Sequence, residues 1–227
     1  MSRVVVVTGG KRGIGAAISA RFAAAGDTVH ALSSADCDVT DEDAVGEVLG
    51  AIGRIDVLVN NAGVSDSAPV ERTTLDQWRT QLDVNATGAF LCTRAVLGGM
   101  AERGHGRIVT VASVAGHRGS RYTGAYTASK HAAIGFMRAV AAEVAGSDVT
   151  ANAVCPAYVR SDMTDRTIAT IEARTGRDGE AALAEMAPLG RLIEPEEVAF
   201  AVAFFAAPEA GAINGQTLIL DGGGVQL

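Results

Sequence analysis

The sequence has few cysteines, no excess of positive charge and no long apolar run. Its three scattered cysteines, Cys37, Cys92 and Cys155, are too few for a disulfide framework or a zinc site, and such thiols are expected to be buried in a reducing cytoplasm. The four histidines are not spaced as metal ligands either, so no metal is expected. A net charge of −7 argues against a nucleic-acid or anionic-membrane surface and favours small molecules or further copies of the chain as partners. The apolar run that begins at Val4 reaches glycine after only a few residues, so we expect neither a signal peptide nor a membrane span.

What the sequence does contain is enough for one α/β domain. Its 227 residues are 48% hydrophobic, which suffices for one substantial core, and no linker, repeat or low-complexity segment divides them. Short apolar strands alternate with helix-forming segments along the chain. This alternation is typical of a parallel sheet covered by helices, so we expect a single domain over residues 1–227.

The chain opens with a strand, a glycine-rich turn and a helix. Val4–Val7 is a continuous β-branched run, typical of a strand buried on both faces of a parallel sheet. Gly9, Gly13 and Gly15 follow in TGGKRGIG, and helix-forming residues continue to Gly26. Glycines between a strand and a helix let the backbone approach a pyrophosphate, whose charge meets amide groups and the positive helix end. The turn therefore indicates a dinucleotide site, although its spacing differs from GxGxxG and a merely tight turn is the alternative.

The connection after the second strand is unusually short. That strand is expected over Thr28–Leu32, and the following ADCDVTD is typical of the end of a third strand. Residues 33–39 are then a reduced connection without the usual helix, because a crossover normally needs about ten residues or more. We expect this to leave the adenosine side of the cleft open. Residues 41–52 fit a helix with Thr40 or Asp41 as its N-cap.

Polar amides occur at two places in otherwise apolar elements. Asn60 and Asn61 follow the buried strand of IDVLVNNAG, at the carboxyl end where ligands bind in open α/β sheets. Asparagine is also an ordinary turn residue. Helical periodicity over Thr74–Met100 is interrupted at Asn85–Gly88, where the amide is either a kink partner or a site residue.

Tyr126 and Lys130 are the strongest candidates for chemistry. In a helix over Ala125–Ala145, residues four apart share a face, so the ammonium can lie beside the phenol and lower its pKa from about 10. Ser113 ends the strand RIVTVAS thirteen residues before Tyr126, where its hydroxyl can hold a substrate oxygen against the phenol. By itself, the pair also fits a surface lysine beside a half-buried tyrosine.

The last third of the chain supplies two more strands and a long excursion. VTANAVCP and NGQTLILDGG are typical of strands, and EPEEVAFAVAFFAAP is typical of a capped helix. Residues 157–191 have no obvious place in the sheet and are rich in charge. Because they follow the carboxyl end of a strand, we expect a substrate lid there, with a solvated helical excursion as the alternative.

Taken in order, TGGKRGIG, NNAG, Asn85, Ser113 and YTASK resemble the short-chain dehydrogenase/reductase family over essentially the whole chain. The resemblance implies a doubly wound, seven-stranded parallel sheet in the order 3-2-1-4-5-6-7 and a nicotinamide dinucleotide. It also implies an enzyme with the catalytic tetrad Asn85, Ser113, Tyr126 and Lys130. Tyr126 would protonate a ketone oxygen held by Ser113. Lys130 would bind the ribose hydroxyls and tune Tyr126, and Asn85 would anchor a proton-relaying water.

The same resemblance implies where the cofactor lies. Asp38 and Val39 would contact adenine, the turn Asn61–Gly63 the ribose, and Val159 and Ser161 the carboxamide end. The expected cofactor contacts are Gly9, Lys11, Arg12, Gly13, Ile14, Gly15, Ser33, Ser34, Asp38, Val39, Asn61, Ala62, Gly63, Tyr126, Lys130, Pro156, Val159 and Ser161.

The end of the second strand predicts a preference for NADP(H). NAD-preferring enzymes place an acid there, which bonds the 2′-hydroxyl and repels a 2′-phosphate. That position is Ser33 here, and it can donate with Ser34 to phosphate oxygens. Arg12 and Lys11 supply cations nearby. Asp36 opposes this preference if the short connection returns it toward the ribose, and NAD(H) is the alternative cofactor.

The carboxyl-terminal segment, from APLGRLIEPEEV to TLILDGG, resembles 3-oxoacyl thioester reductases of fatty-acid and polyketide metabolism. We therefore expect a cytoplasmic ketoreductase acting on a 3-oxoacyl thioester or a related ketone. The alternatives are a secondary-alcohol dehydrogenase working oxidatively and a non-catalytic dinucleotide-binding redox sensor. In this family the helices that correspond to Thr74–Met100 and Ala125–Ala145 pair across a two-fold axis, so we expect a homo-oligomer, either a tetramer or a dimer.

Overall fold

A parallel sheet lies at the centre of the computed structural model, which describes residues 2–226. Over these residues its six strands are β1 (Val4–Thr8), β2 (Thr28–Leu32), β3 (Val57–Asn60), β4 (His105–Val111), β5 (Asp148–Pro156) and β6 (Thr217–Leu220). They are hydrogen-bonded in the order β2-β1-β3-β4-β5-β6, and every neighbouring pair is parallel. All carboxyl ends therefore meet at one edge, and the winding direction reverses between β1 and β3.

Helices cover both faces of this sheet. They are α1 (Gly13–Ala24), α2 (Glu42–Ile52), α3 (Leu75–Leu82), α4 (Gly88–Arg103), α5 (Gly124–Glu143), α6 (Asp162–Thr175), α7 (Gly179–Met186) and α8 (Pro195–Phe205). Helices α1 and α8 share one apolar core with the sheet, and α2, α4 and α5 share the other. Helices α6 and α7 pack against each other.

Strand β1 shows why continuous apolar runs form the inner strands. Val6 faces the core that contains α2, α4 and α5, whereas Val5 and Val7 face the core that contains α1 and α8. All three side chains are fully buried. Burying a valine contributes about 1.5–3 kcal/mol relative to leaving it exposed, so a strand with valine on both faces is stable only between two helical layers.

The prediction of seven strands was wrong, because residues 2–226 contain six and ADCDVTD is not a strand. After β2, the amides of Asp36 and Cys37 both donate to the carbonyl oxygen of Ser33 at 3.0 Å, which turns the chain. Asp38 then accepts from the amide and the hydroxyl of Thr40. These polar groups bond within the segment instead of pairing with β2. The relative order of the other strands is as expected, and so is the missing helix.

The other elements lie close to their predicted positions. Helix α2 follows Asp41, whose carboxylate caps it by accepting from the amides of Asp43 and Ala44. The expected interruption of the long helix is a π-helical turn, Asp83–Thr87, between α3 and α4. The three cysteines are free and buried, as predicted. Within residues 2–226, no helix combines the length and the apolar character that crossing a bilayer requires.

Candidate active site

The turn between β1 and α1 has a backbone that requires glycine. Gly9 and Gly13 adopt positive φ angles of 63° and 50°, which other residues rarely adopt. A Cβ on Gly15 would lie 2.1 Å from the carbonyl oxygen of Gly9. Helix α1 follows with Arg12 at its N-cap, and the Arg12 side chain does not cap the first amides. Those amides and the positive end of the helix suit a pyrophosphate, so the turn fits a dinucleotide.

Thr8 and Asn61 hold the end of β3 beside this turn. The Thr8 hydroxyl accepts from the amides of Asn61 and Ala62, both at 3.0 Å. The Asn61 side chain donates to the carbonyl oxygens of Thr8 and Gly9 at 2.9 and 3.2 Å. Asn61 therefore braces the glycine turn from the side. The sequence did not identify Thr8, because a lone hydroxyl at the end of a strand has no distinguishing pattern.

A cleft of about 850 Å³ opens beside the glycine turn. The expected cofactor contacts that line it are Gly9, Lys11, Arg12, Gly13, Ile14, Gly15, Ser33, Ser34, Asp38, Val39, Asn61, Ala62, Gly63 and Ser161. The expected contacts outside its lining are Tyr126, Lys130, Pro156 and Val159. Pro156 is buried at the end of β5, and Val159 is buried where it pairs with Ile193.

Two of the expected catalytic residues, Asn85 and Lys130, lie behind Gly63 of the cleft. A Cβ on Gly63 would lie 3.2 Å from Oδ1 of Asn85 and 3.6 Å from Nζ of Lys130. The Lys130 ammonium donates to the carbonyl oxygen of Val111, at the end of β4, over 3.0 Å. It also lies 5.7 Å from the centroid of the Tyr126 ring. The structure thus brings Lys130 close to the Tyr126 ring. Because Gly63 has no side chain, no atoms at that position separate Lys130 from the cleft.

Asn85 ties the π-helical turn to the loop after β3 and to α5. Its side chain donates to the carbonyl oxygen of Val64 and to the hydroxyl of Ser129, both at 2.9 Å. It also accepts from the amide of Val64 at 2.8 Å. The Ser129 hydroxyl donates in turn to the carbonyl oxygen of Tyr126 at 2.8 Å. Of the two interpretations of Asn85, these bonds support the kink partner. Asn85 also lies next to Lys130 behind Gly63. Ser129 was not recognised from the sequence.

Burial governs the protonation of Tyr126 and Lys130. It raises the pKa of Tyr126 above the ordinary 10.0, and the hydrogen bond with Ser113 offsets part of this rise. Burial lowers the pKa of Lys130 from 10.5 to about 8, and the nearby Cys155 acts in the opposite direction. The expected lowering of the Tyr126 pKa is thus not found, since desolvation outweighs it. At neutral pH the phenol holds its proton, as a proton donor must.

Lys11 and Arg12, the cations expected near a 2′-phosphate, are both paired with acids. The Lys11 ammonium lies 2.7 Å from the carboxylate of Asp36. The Arg12 guanidinium lies 3.7 Å from the carboxylate of Asp162, and both of these side chains are mostly exposed. The Lys11 side chain therefore lies beside the turn that follows β2, whereas the Arg12 side chain extends to the first turn of α6.

The segment 157–191 contributes one side of the cleft. Ser161 caps α6 by accepting from the amide of Thr164 at 3.4 Å. The first turns of α6 bring Met163 and Arg166 to the cleft, and neither side chain was among the expected contacts. The segment thus supplies cleft-lining residues only near its amino-terminal end.

Comparison with known proteins identifies the family. Residues 29–224 match the family model described as enoyl-(acyl carrier protein) reductase. The chain is 37% identical to acetoacetyl-CoA reductase of Shinella zoogloeoides over 98% of both chains. The chain belongs to the short-chain dehydrogenase/reductase family. It is also 38% identical to the 3-oxoacyl-[acyl-carrier-protein] reductase MabA of Mycobacterium tuberculosis, over 98% of this chain and 93% of that protein.

Solved structures agree with this short-chain dehydrogenase/reductase assignment. The ligand-free aldohexose dehydrogenase of Thermoplasma acidophilum has a TM-score of 0.91 at 33% identity, covering 100% of this chain and 97% of that chain. A variant of actinorhodin polyketide ketoreductase with NADPH has a TM-score of 0.89 at 31% identity, covering 98% and 97%. The predictions of this family, of an α/β Rossmann-like fold and of an oxidoreductase are therefore confirmed.

Proposed function

We propose that this chain is a cytoplasmic, NADP(H)-dependent ketoreductase that reduces the 3-oxo group of an acyl thioester to a secondary alcohol. The observation that carries the proposal is the position of Lys130 directly behind Gly63 of the dinucleotide cleft, with its ammonium 5.7 Å from the centroid of the Tyr126 ring. The names of the relatives supply the substrate class, since they are reductases of acetoacetyl-CoA and of 3-oxoacyl groups on an acyl carrier protein. Structural relatives bound to NADPH and NADP support the cofactor.

The proposed mechanism assigns one task to each residue. A reduced nicotinamide, when bound, supplies a hydride to the ketone carbon. Tyr126 donates its phenolic proton to the ketone oxygen, and its raised pKa keeps that proton available at neutral pH. The buried Ser113 hydroxyl, whose oxygen accepts from the amide of Ala115 at 3.1 Å, holds the same ketone oxygen by donating its proton to it. The Lys130 ammonium stabilises the phenolate until a solvent proton replaces the one transferred.

Asn85 has a positioning role in this proposal. It fixes the first turn of α5 through Ser129 and the loop after β3 through Val64. The position of Tyr126 and Lys130 relative to the loop after β3 therefore depends on it. We also propose that residues 157–191 form the substrate lid, since Met163 and Arg166 line the cleft.

The test is consumption of NADPH with a panel of substrates. The panel contains acetoacetyl-CoA, a longer 3-oxoacyl thioester, a 2-enoyl thioester and a cyclic ketone. We expect turnover with the 3-oxoacyl thioesters and none with the 2-enoyl thioester. Reduction of the enoyl compound alone would overturn the proposal in favour of the activity that the family model names. Tight NADPH binding without turnover of any compound would favour a redox sensor.

A second candidate is an oxidative alcohol dehydrogenase, because one structural relative oxidises aldohexoses by name. The same enzyme sample is therefore assayed with NADP⁺ and either a 3-hydroxyacyl thioester or an aldohexose. Oxidation of the aldohexose, with no reduction of 3-oxoacyl thioesters, would select this candidate.

A further inference from the structure

Three hydrogen-bond donors at the end of β2 converge on one carboxylate, that of Asp36. The Lys11 ammonium lies 2.9 Å from one oxygen and 2.7 Å from the other. The amide of Ser33 donates to Asp36 over 2.7 Å, and the Ser33 hydroxyl donates to the same oxygen. Lys11 and Ser33 also line the dinucleotide cleft. An anion-binding set of one cation, one amide and one hydroxyl is therefore occupied by an acid from the chain itself.

The shortened connection produces this arrangement. The amides of Asp36 and Cys37 both donate to the carbonyl oxygen of Ser33, so the chain returns on itself three residues after β2. Lys11 and Ser33 together hold the pKa of Asp36 well below its ordinary value, which keeps the carboxylate charged whenever the protein is folded near neutral pH. Asp38 does not share this role, because its carboxylate accepts from the amide and hydroxyl of Thr40.

The donors that Asp36 occupies are the ones that a phosphate monoester needs. A 2′-phosphate on the adenosine ribose is bound by cations, hydroxyls and amides, and a fixed carboxylate among them repels it. A ribose with a free 2′-hydroxyl carries no charge at that position and does not compete for Lys11. The same network therefore treats the two nicotinamide dinucleotides differently.

We propose that Asp36 sets the cofactor preference of this chain by competing with the 2′-phosphate of NADP(H) for Lys11 and Ser33. The proposal rests on the proposed function, since it concerns the same cleft. Binding of NADPH requires the release of Lys11 from Asp36, whereas binding of NADH leaves that ion pair intact. The preference of the wild-type protein for NADPH is therefore smaller than its cations and hydroxyls alone would give.

The first experiment measures binding without turnover. Dissociation constants for NADPH and NADH are obtained from fluorescence, and those for adenosine 2′,5′-bisphosphate and 5′-AMP from calorimetry. In Asp36→Asn we expect NADPH and the bisphosphate to bind roughly tenfold more tightly, with NADH and 5′-AMP within about twofold of wild type. The matched control is Asp43→Asn, which removes the same charge from an exposed position in the first turn of α2. It should change none of the four constants.

The second experiment separates competition from support of the turn. Lys11→Ala is made in the wild type and in Asp36→Asn. If Asp36 occupies Lys11, the substitution weakens NADPH binding several-fold more in the Asp36→Asn background than in the wild type. An equal effect in both backgrounds would overturn the proposal, and so would parallel changes for NADPH and NADH in Asp36→Asn. Circular dichroism checks folding, and Asp36→Ser replaces Asp36→Asn if the latter does not fold.

The outcomes also separate this inference from the function on which it rests. If the wild type binds neither dinucleotide, the proposed function fails. The ratio of bisphosphate to 5′-AMP binding, in wild type and in Asp36→Asn, still decides whether Asp36 competes for the phosphate site.

Discussion

Tyr126 and Lys130 are adjusted in opposite directions by the same burial. The phenol becomes a weaker acid and the ammonium a stronger one, so their pKa values, ordinarily 10.0 and 10.5, move apart and Lys130 becomes the stronger acid of the two. In the reductive direction this keeps a proton on Tyr126 and leaves Lys130 as the group whose charge changes first as the pH rises.

The first prediction concerns Tyr126→Phe. The substitution removes only the oxygen that carries the proton, so we expect turnover to fall by roughly two to four orders of magnitude while the dissociation constant for NADPH stays within about twofold. The matched control is Tyr122→Phe, because Tyr122 lies four residues earlier and is 52% exposed. It should retain wild-type turnover. More than a tenth of wild-type activity in Tyr126→Phe would refute the assignment of the proton donor.

The second prediction concerns pH. Lys130 loses its proton as the pH rises through about 8, while the raised pKa of Tyr126 keeps the phenol protonated there. We therefore expect kcat/KM for ketone reduction to be constant below that pH and to fall above it. Lys130→Arg keeps its charge at every pH used, so the decline near pH 8 should disappear, although the overall rate is lower. A decline that persists unchanged in Lys130→Arg would assign it to another group.

Among the elements, the glycine turn between β1 and α1 tolerates the least change. Gly15→Ala would place a Cβ 2.1 Å from the Gly9 carbonyl oxygen and 2.6 Å from the Asn61 side-chain nitrogen. The third prediction is that Gly15→Ala lowers the free energy of unfolding by about 1–3 kcal/mol and weakens NADPH binding. Urea unfolding and fluorescence titration measure the two effects.

The matched control for Gly15→Ala is Gly46→Ala. Gly46 is exposed in α2, and a Cβ there would meet nothing within 4 Å. Alanine is the better helix former, so we expect the free energy of unfolding to rise by about 0.5–1 kcal/mol with NADPH binding unchanged. Equal effects of the two substitutions would show that close packing in the turn is not what the first one disturbs.

The elements that the sequence predicted well are those whose signal is local. Helix α2 has its acidic cap, and the helix predicted over Ala125–Ala145 runs from Gly124 to Glu143. The prediction of a third strand was wrong because the amides of Asp36 and Cys37 donate back to the carbonyl oxygen of Ser33. These hydrogen bonds compete with pairing to β2. No residue pattern indicates whether the turn or the strand pairing forms.

Within the site, the four-residue spacing was sufficient to bring Lys130 to Tyr126, whereas the place of Asn85 beside Lys130 was implied only by the family resemblance. The spacing could not give the direction of the Tyr126 pKa, because desolvation depends on side chains that are distant in sequence. The supporting hydroxyls of Thr8 and Ser129 were missed for the same reason, since each bonds groups that another element supplies.

At the scale of the whole molecule, the exposed face of α5 predicts self-association. Ala132, Gly135, Ala139 and Ala142 are exposed along it, and Phe90 of α4 is 38% exposed beside it. Small side chains let a second copy of the helix approach closely, and a bare apolar face of this kind is unusual on a monomer. The fourth prediction is therefore a dimer or tetramer in light scattering at micromolar concentration.

Ala139→Arg tests which face is used. It should shift the mass toward the 23.1 kDa of one chain, because the charge would be buried against the partner. Ala51→Arg makes the same replacement at an exposed position at the end of α2 and should leave the oligomer intact. A wild type that scatters as a single chain would refute the prediction.

Because no strand within residues 2–226 pairs with the outer side of β2, β2 is an edge strand of the sheet. About half of the amide and carbonyl groups of β2 point away from β1 and must be satisfied by water. Such an edge strand is a template for strand addition from another chain. It is only five residues long and ends at the turn of Ser33 and Asp36. The turn that stands in place of the predicted third strand thus also limits the length over which a foreign strand could extend the sheet.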